Sequence, residues 1–583
     1  MLSTLLFPTF LVVRGGAIQL SCGLRKPLVK NNCTECRSGV SMRVVLSPGR
    51  CRLLAMLLLM VSLVADAGES LRQRLEALHS GYSAEAAGER LMTTQALSEF
   101  YEARGYELAW TDLRSRIALL TEVEAVAQDG LLPTDYHLLA LQELMAEDWE
   151  QLSAAARDDL DLLLSDSFLL LGSHLLEGKV NPETIDPEWF ANRRQRAMAP
   201  LLAEALANSA ITATLDVLRP SQDGYRQLKA ARARIAGLVG EPWADIPVGP
   251  AIKLGMEDER VPLIRQRLVT LGDLEAANDE AAPSSTYDRT MDQAVVEFQR
   301  RHGLEDDGIV GRSTLAALNR TPEDRLQQID LNLERWRWLP DSLGETYVLV
   351  NIAAFELKLV QKSQVKLSKR VIVGRPFRRT PVFSDQIRYL VFNPTWTVPR
   401  KLMVQDKLPE IVRDPDYIQR LGFSIYHGWG SERVQVDPQT VDWQSLSSRN
   451  FPYQLVQEPG PQNALGQVKF MFPNKFDVYL HDTPSRELFR KSERSFSSGC
   501  IRVHEPLDLA AALLEIEGGW DRARIDSVVD SLKTTTVTLK QPIPVHLEYW
   551  TAWTGDDGRL QFRNDVYTRD ARLYEALQTS RRP

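Results

Sequence analysis

Cysteine is scarce in this chain of 583 residues: there are five in all, and Cys22, Cys33, Cys36 and Cys51 fall near the amino end. The rest of the chain therefore has no disulfide framework, and Cys500 stands alone. Cys33 and Cys36 have the spacing of a zinc or redox pair but lack a second pair of ligands. Net positive charge is also missing. A formal charge of -8 leaves no clustered excess of Lys and Arg with which to neutralise phosphates, so no nucleic-acid partner is expected. Long apolar runs are few. The run Leu53–Val61 is too short to cross a bilayer comfortably. It follows Arg43, Arg50 and Arg52 and precedes Ala65-Asp66-Ala67, which is the order of a signal peptide starting at Met42 and cleaved after Ala67. Residues 1–67 are thus expected to be a leader outside the fold, with a membrane-anchored leader as the alternative.

What is present is globular: 44% hydrophobic and 25% charged residues over a length that calls for more than one core. Residues 68–240 have helical apolar spacing, as in Leu160, Leu163, Leu164, Phe168 and Leu171, and are expected to form a helical scaffold. His137 and His174 lie there among apolar neighbours and are read as packed or surface histidines. Glu241–Pro250 is rich in proline and reads as a linker. Beyond Thr346 the texture turns to strands, at Tyr347–Ile352, Ser368–Val373 and Tyr389–Phe392. A proline-rich stretch at about 400–470 reads as an insertion covering a substrate, and the tail at about 536–583 as an extension.

One constellation carries chemistry. Phe476–His481 alternates as a strand, which places Asp477, Tyr479 and His481 on one face. Ser497-Ser498-Gly499-Cys500 then leads into Ile501-Arg502-Val503, where Arg502 shares the face of Cys500. A thiol of ordinary pKa is only ~3% thiolate at neutral pH, so a nucleophilic cysteine needs a base or a positive field beside it. His481 can serve as that base, and Arg502 adds the field. Small Ser498 and Gly499 let the backbone approach a substrate carbonyl, with the amides of Gly499 and Cys500 as oxyanion donors and Tyr479 beside them on the substrate side. A third group should fix the imidazole tautomer, either a carboxylate or a backbone carbonyl. A zinc site of His481, Cys500 and His504 is the rival chemistry, although no fourth ligand is evident.

Two resemblances extend this reading. Residues 250–320, with Ala294–Leu304 and Asp307-Gly308-Ile309-Val310-Gly311, resemble the small three-helix peptidoglycan-binding module; its third helix is expected over Leu315–Asn319, capped by Ser313 or Thr314. His481-Asp482-Thr483-Pro484 and Ser497–Val503 resemble the signature of L,D-transpeptidases with the YkuD-type catalytic domain, and Asn393–Pro399 and Pro459–Gly466 resemble flanking segments of the larger members. Many relatives carry a histidine where this chain has Ser498, which leaves His481 as the base. The resemblance implies an α+β multidomain protein: a helical scaffold, a three-helix module and a β-rich catalytic domain over 345–583. It also implies a periplasmic enzyme of cell-wall biogenesis and cell shape, needing no cofactor or metal. In this family Cys500 would attack the third residue of a tetrapeptide stem, expel D-alanine, and pass the acyl group to an amine of a second stem as a 3→3 cross-link. Transfer to water would make the same site an L,D-carboxypeptidase, and loss of turnover would leave a wall-binding scaffold. Expected partners are peptidoglycan stem peptides, cell-wall synthesis proteins and carbapenem-type inhibitors.

Overall fold

The computed structural model describes residues 71–76, 85–190, 193–276, 284–414 and 416–579, with short backbone stretches at 12–14 and 17–19. The expected leader, with its start, its cleavage site and its four cysteines, lies outside the described side chains. Among the described residues no helix is long and apolar enough to cross a membrane.

The amino-terminal region is mainly helical, with one short hairpin of Glu85–Ala86 and Glu89–Arg90: α1 (Thr94–Ala103), α2 (Leu113–Ala125), α3 (Leu138–Met145), α4 (Ala154–Glu177), α5 (Met198–Ala207), α6 (Ile211–Leu218) and α7 (Asp223–Ala236). The long α4 starts where the Ser153 side chain accepts from the Ala156 N–H, a side-chain cap that satisfies one orphan donor. It is apolar on most sides because the other helices surround it, and Leu160, Leu163, Leu164, Phe168 and Leu171 are fully buried. The histidines there are not among apolar neighbours only. His137 Nε2 lies 2.8 Å from Asp166 and His174 Nδ1 lies 3.0 Å from the Tyr136 hydroxyl.

After the linker come α8 (Val261–Leu271), α9 (Arg289–Arg301) and α10 (Arg312–Leu318), packed around Ile264, Val295 and Phe298. Asp288 caps α9 by accepting from the Met291 N–H at 2.9 Å. The third helix begins earlier than expected, with Gly311 at its N-cap; Thr314 does not cap but hydrogen-bonds the Ile309 carbonyl and Gln299. Helix α11 (Pro322–Arg337), opened by a reciprocal Thr321–Asp324 capping box, then packs against α7 and carries the chain to the sheet.

The carboxy-terminal region has strands β1 (Thr346–Asn351), β2 (Glu356–Gln361), β3 (Gln364–Gly374) and β4 (Phe383–Phe392). Strands β5 (Trp396–Thr397), β6 (Phe423–His427), β7 (Val434–Val436) and β8 (Tyr453–Gln457) follow. The last are β9 (Val468–Met471), β10 (Leu480–His481), β11 (Ser495–Ser497), β12 (Ile501–Val503) and β13 (Thr535–Glu548). The nine-stranded sheet runs β11-β3-β12-β10-β9-β4-β13-β1-β2, and it closes on itself because the long β3 also pairs with β2. Its apolar faces form the largest core, with Val350, Ile387, Leu390, Phe470, Leu480, Ile501, Val503 and Val545 fully buried.

Two expectations need correction. Residues from Thr535 are no appendage, since β13 lies between β4 and β1 in the middle of the sheet. Nor is Phe476–His481 one strand: only Leu480 and His481 pair. Asn474 bends the approach, its side chain binding the Phe476 and Val478 N–H groups and the Phe472 and Val478 carbonyls, and Asp477 sits at φ 54°. Side-chain hydrogen bonds of this kind offer backbone an alternative to the ladder. The insertion forms its own sheet, β7-β6-β8-β5, over a small core of Ile411, Ile425, Trp443 and Leu455. Trp429 of this insertion is 57% exposed.

Candidate active site

Strand pairing brings the two expected reactive groups together. Strands β10 and β12 are parallel neighbours, with Leu480 opposite Ile501 and His481 opposite Arg502, so Cys500 enters the sheet beside Tyr479. The Ile501 N–H donates to the Tyr479 carbonyl at 3.1 Å, fixing that register. Cys500, His481, Tyr479, Arg502 and Ser498 all line one cavity of about 720 Å³, a volume suited to a sizeable ligand. The insertion contributes Trp396, Pro399, Lys401, Leu402, Asp406 and Lys407 to its wall, and the helical region contributes Glu188.

His481 is buried, and its Nδ1 lies 2.5 Å from the backbone carbonyl of Asp482. A carbonyl only accepts, so Nδ1 carries the proton and Nε2 keeps a lone pair. The tautomer-fixing group, open between a carboxylate and a carbonyl, is therefore the Asp482 carbonyl. The Asp482 carboxylate is turned away and accepts from the Gln467 N–H at 2.9 Å. That turn depends on Gly466 at φ +59°, where a Cβ would collide with the Asp482 side chain. Burial, aided by the Arg502 and Lys469 cations, holds the His481 imidazole down at about 3. It is neutral at physiological pH and able to accept a proton.

Cys500 is half-buried at the end of the Ser497–Cys500 loop, with Sγ 3.6 Å from the Asp477 carbonyl. Burial pushes its thiol up to about 11, while the Tyr479 backbone and hydroxyl and the Arg502 cation pull it down. Desolvation disfavours a bare thiolate until something compensates it. Tyr479 stands beside the sulfur, its hydroxyl held well above the ordinary range by burial and by Cys500. Arg502 is mostly buried, and its Nε finds no protein partner.

Gly499 does not present the expected amide. At φ +122° it turns its N–H onto the Ser497 hydroxyl at 3.1 Å, while its carbonyl accepts from Thr380 Oγ1 at 2.8 Å. Ser497 in turn donates to the Cys500 carbonyl at 2.5 Å, which ties the loop into one conformation. Among the described residues no group accepts from the Cys500 N–H. Ser498 is exposed, and its hydroxyl lies 3.2 Å from Arg378 Nη1. His504 does not join the cavity: it is partly exposed, lies 3.6 Å from Glu505 and packs on Phe489. The three groups of the zinc reading thus do not converge.

Two further features were missed. Lys469 on β9 lies directly across from His481; no motif marks it, and only the pairing of β9 with β10 reveals it. Arg378 bonds Ser498 and also forms a two-pronged ion pair with Asp406 of the insertion, bridging the Ser497–Cys500 loop and the cover. Asp406 sits in a π-helical turn, Met403–Lys407, an irregularity frequent at functional sites. The cavity holds six cationic side chains (Arg375, Arg378, Arg379, Lys401, Lys407, Arg502) against three carboxylates (Glu188, Asp406, Asp477). Its field therefore favours anions.

Comparison with known proteins gives three family matches. Residues 345–537 match the L,D-transpeptidase catalytic domain of the YkuD family, residues 257–318 a "Putative peptidoglycan binding domain", and residues 95–231 a scaffold domain. A Haemophilus influenzae protein named "Putative L,D-transpeptidase" is 38% identical over 247 residues, covering 42% of this chain and 49% of that protein. The match thus spans about half of that relative's length. Among solved structures, an L,D-transpeptidase from Mycobacterium smegmatis is 10% identical, covering 35% of this chain and 58% of that one at a TM-score of 0.18. One from Xylanimonas cellulosilytica is 16% identical, covering 52% and 98% at a TM-score of 0.16.

Proposed function

We propose, for a chain that carries a YkuD-type L,D-transpeptidase catalytic domain, that Cys500 is the nucleophile of a peptidoglycan 3→3 cross-linking reaction. The observation that carries the proposal is the convergence of Cys500, His481, Tyr479 and Arg502 on one cation-rich cavity. A tetrapeptide stem enters under the insertion, its carboxylates drawn by Arg502 and the neighbouring cations. Cys500 Sγ attacks the carbonyl of the third residue as His481 Nε2 takes the thiol proton. The same imidazolium then gives that proton to the amine of the departing D-alanine, leaving a thioester. Because both groups start neutral, the proton moves within the attack rather than before it. The Cys500 N–H and the Tyr479 hydroxyl receive the oxyanion. In the second half the amine of another stem attacks the thioester, His481 removes its proton, and the thiol is regenerated.

The reaction takes place in the periplasm, after export by the leader. Water in place of the amine gives L,D-carboxypeptidase activity from the same acyl-enzyme. A carbapenem, whose strained amide carbonyl is a compact mimic of the donor, acylates Cys500 and adds its mass to the chain. The test is mass analysis after incubating the chain and its Cys500→Ala variant with disaccharide-tetrapeptides. A 3→3 dimer formed only by the wild type supports the proposal. Tripeptide alone reassigns the chain to the carboxypeptidase, and no Cys500-dependent product with a substrate validated on another L,D-transpeptidase leaves a wall-binding scaffold.

A further inference from the structure

Away from the cavity of Cys500, cavities of about 310 and 440 Å³ lie between the three-helix module and the β1–β2 turn of the sheet, and a third of about 500 Å³ adjoins them between the module, α11 and residues 562–571. Leu304 and Arg563 line all three, so they form one continuous groove. One wall is the turn after α9; the other is the β1–β2 turn, the end of β3 and the segment leading into β11. The junction is close-fitted: Gly303 sits at φ +65°, and a Cβ there would strike the Arg563 side chain.

The sheet end of this groove is basic in a particular way. Arg370, Arg490, Lys491, Arg494 and Arg563 line it, and none has a carboxylate within ion-pair distance among the described residues. Lys369 and Arg300, also there, are by contrast paired, with Glu505 and Asp508 and with Glu297 and Asp306. The buried Arg494 is held in place by the carbonyls of Phe355 (3.1 Å), Val371 (3.2 Å), Lys491 (2.5 Å) and Ser492 (3.3 Å). Arg563 is fixed by the carbonyls of Arg301 (2.9 Å) and Phe562 (2.7 Å). Facing these five cations, only Glu305 and Glu356 remain as acidic groups outside an ion pair. Burial holds both arginines down at about 10, with repulsion from Arg370 and Arg563 adding to it at Arg494, while the Glu356 carboxylate pulls both back up. Carbonyls orient a guanidinium without neutralising it, and oriented, uncompensated guanidiniums are preorganised for carboxylates.

We propose that this groove is a second wall-binding site, built jointly by the module and the catalytic domain, which grips the carboxylate-bearing stem peptides of a peptidoglycan strand. It rests on the reading that the substrate is peptidoglycan. The match of the module to a peptidoglycan-binding family favours this ligand over another polyanion, and the cations from the sheet side add to Arg312 of the module. A strand held there would be tethered while a different stem reacts at Cys500, raising the local concentration of stems.

The experiment uses the full chain carrying Cys500→Ala and purified sacculi as probe, comparing retention with and without Arg490→Glu and Lys491→Glu. Both residues are exposed, so reversing them spares the core. Retention should fall about tenfold or more. Sacculi whose carboxylates have been converted to amides should retain the unreversed chain as poorly as native sacculi retain the reversed one. In a background with Cys500 intact, turnover of soluble disaccharide-tetrapeptide should stay within about twofold. Undiminished retention by the reversed chain overturns the groove, and undiminished retention on amidated sacculi overturns carboxylate recognition. Equal loss of retention and of soluble turnover also overturns it, by pointing to general damage. If retention depends on the groove while the wild type turns over nothing, the tether stands and the transpeptidase reading fails.

Discussion

The helical scaffold and the catalytic cavity both bury charge, and they answer it differently. In the scaffold, the Asp161 carboxylate accepts from the N–H groups of Ala109 and Trp110 and from the Tyr101 hydroxyl. Asp166 accepts from Met92, Thr93 and His137, and Asp129 from Arg219, Lys229 and Tyr225. Every one of these carboxylates is saturated, as structural charges must be. In the cavity, Arg502 Nε has no partner among the described residues, His481 keeps a free lone pair, and the Cys500 thiol meets the Asp477 carbonyl at 3.6 Å and the Tyr479 hydroxyl. Polar groups left unanswered inside a protein cost stability unless a ligand completes them. The scaffold's charges are answered within the fold, and under the proposed function the cavity's are answered by the substrate.

Substitutions can break this contrast. The largest effect is expected from Cys500→Ala, which should lower turnover by at least ~10³-fold while leaving the unfolding midpoint nearly unchanged; a steady-state assay beside a denaturant titration checks it. Asp129→Ala should do the opposite. It removes the buried carboxylate on which Arg219, Lys229 and Tyr225 converge and should cost about 3–5 kcal/mol in urea unfolding, with turnover per folded molecule unaffected. Arg502→Met sharpens the comparison, because it removes a mostly buried cation whose Nε has no partner among the described residues. It should cost less than about 1 kcal/mol of stability yet raise KM about tenfold for a carboxylate-bearing stem. Arg378→Ala cuts the bridge between the Ser497–Cys500 loop and the cover; a rise in KM of about threefold with little change in melting is expected, since part-exposed ion pairs contribute modestly to stability.

The smallest effect is an expected flatness. His481 loses its role as base only when protonated near 3, and the Cys500 thiol ionises only near 11. The profile of kcat/KM from these two groups should therefore be level from about pH 5 to about 9. An acid limb near 6 to 7 in the free enzyme would show instead a preformed thiolate–imidazolium pair. The sign for stability is separate. The unfolded chain binds a proton at His481 below its ordinary value of 6.5 and the folded one only near 3, so this residue makes stability fall as pH drops through that window.

Local chemistry was legible where the signal is local. Ser498-Gly499-Cys500 and the alternation of Ile501, Arg502 and Val503 were enough to place Arg502 with Cys500 and to bury its neighbours. The run Phe476–Tyr479 misled because Asn474 and the left-handed Asp477 impose a turn that alternation cannot register, although Tyr479 and His481 still reach one cavity. The Gly499 amide was misassigned because the competing acceptor is a side chain two residues away, whose rotamer no pattern encodes. Lys469 and the Arg378–Asp406 bridge depend on pairing between segments distant in the chain, so nothing short of the folded sheet could place them. The tail from Thr536 alternates as a strand should, but its place in the middle of the sheet escaped because its partners, β4 and β1, lie far upstream of it.

The most direct test of the account is to quench the chain within one turnover of tetrapeptide stem and map the adduct by peptide mass analysis. The account predicts a single acyl group, a stem lacking its terminal D-alanine, on the peptide that carries Cys500. Continued turnover with no adduct there, or with the adduct on another residue, would contradict it.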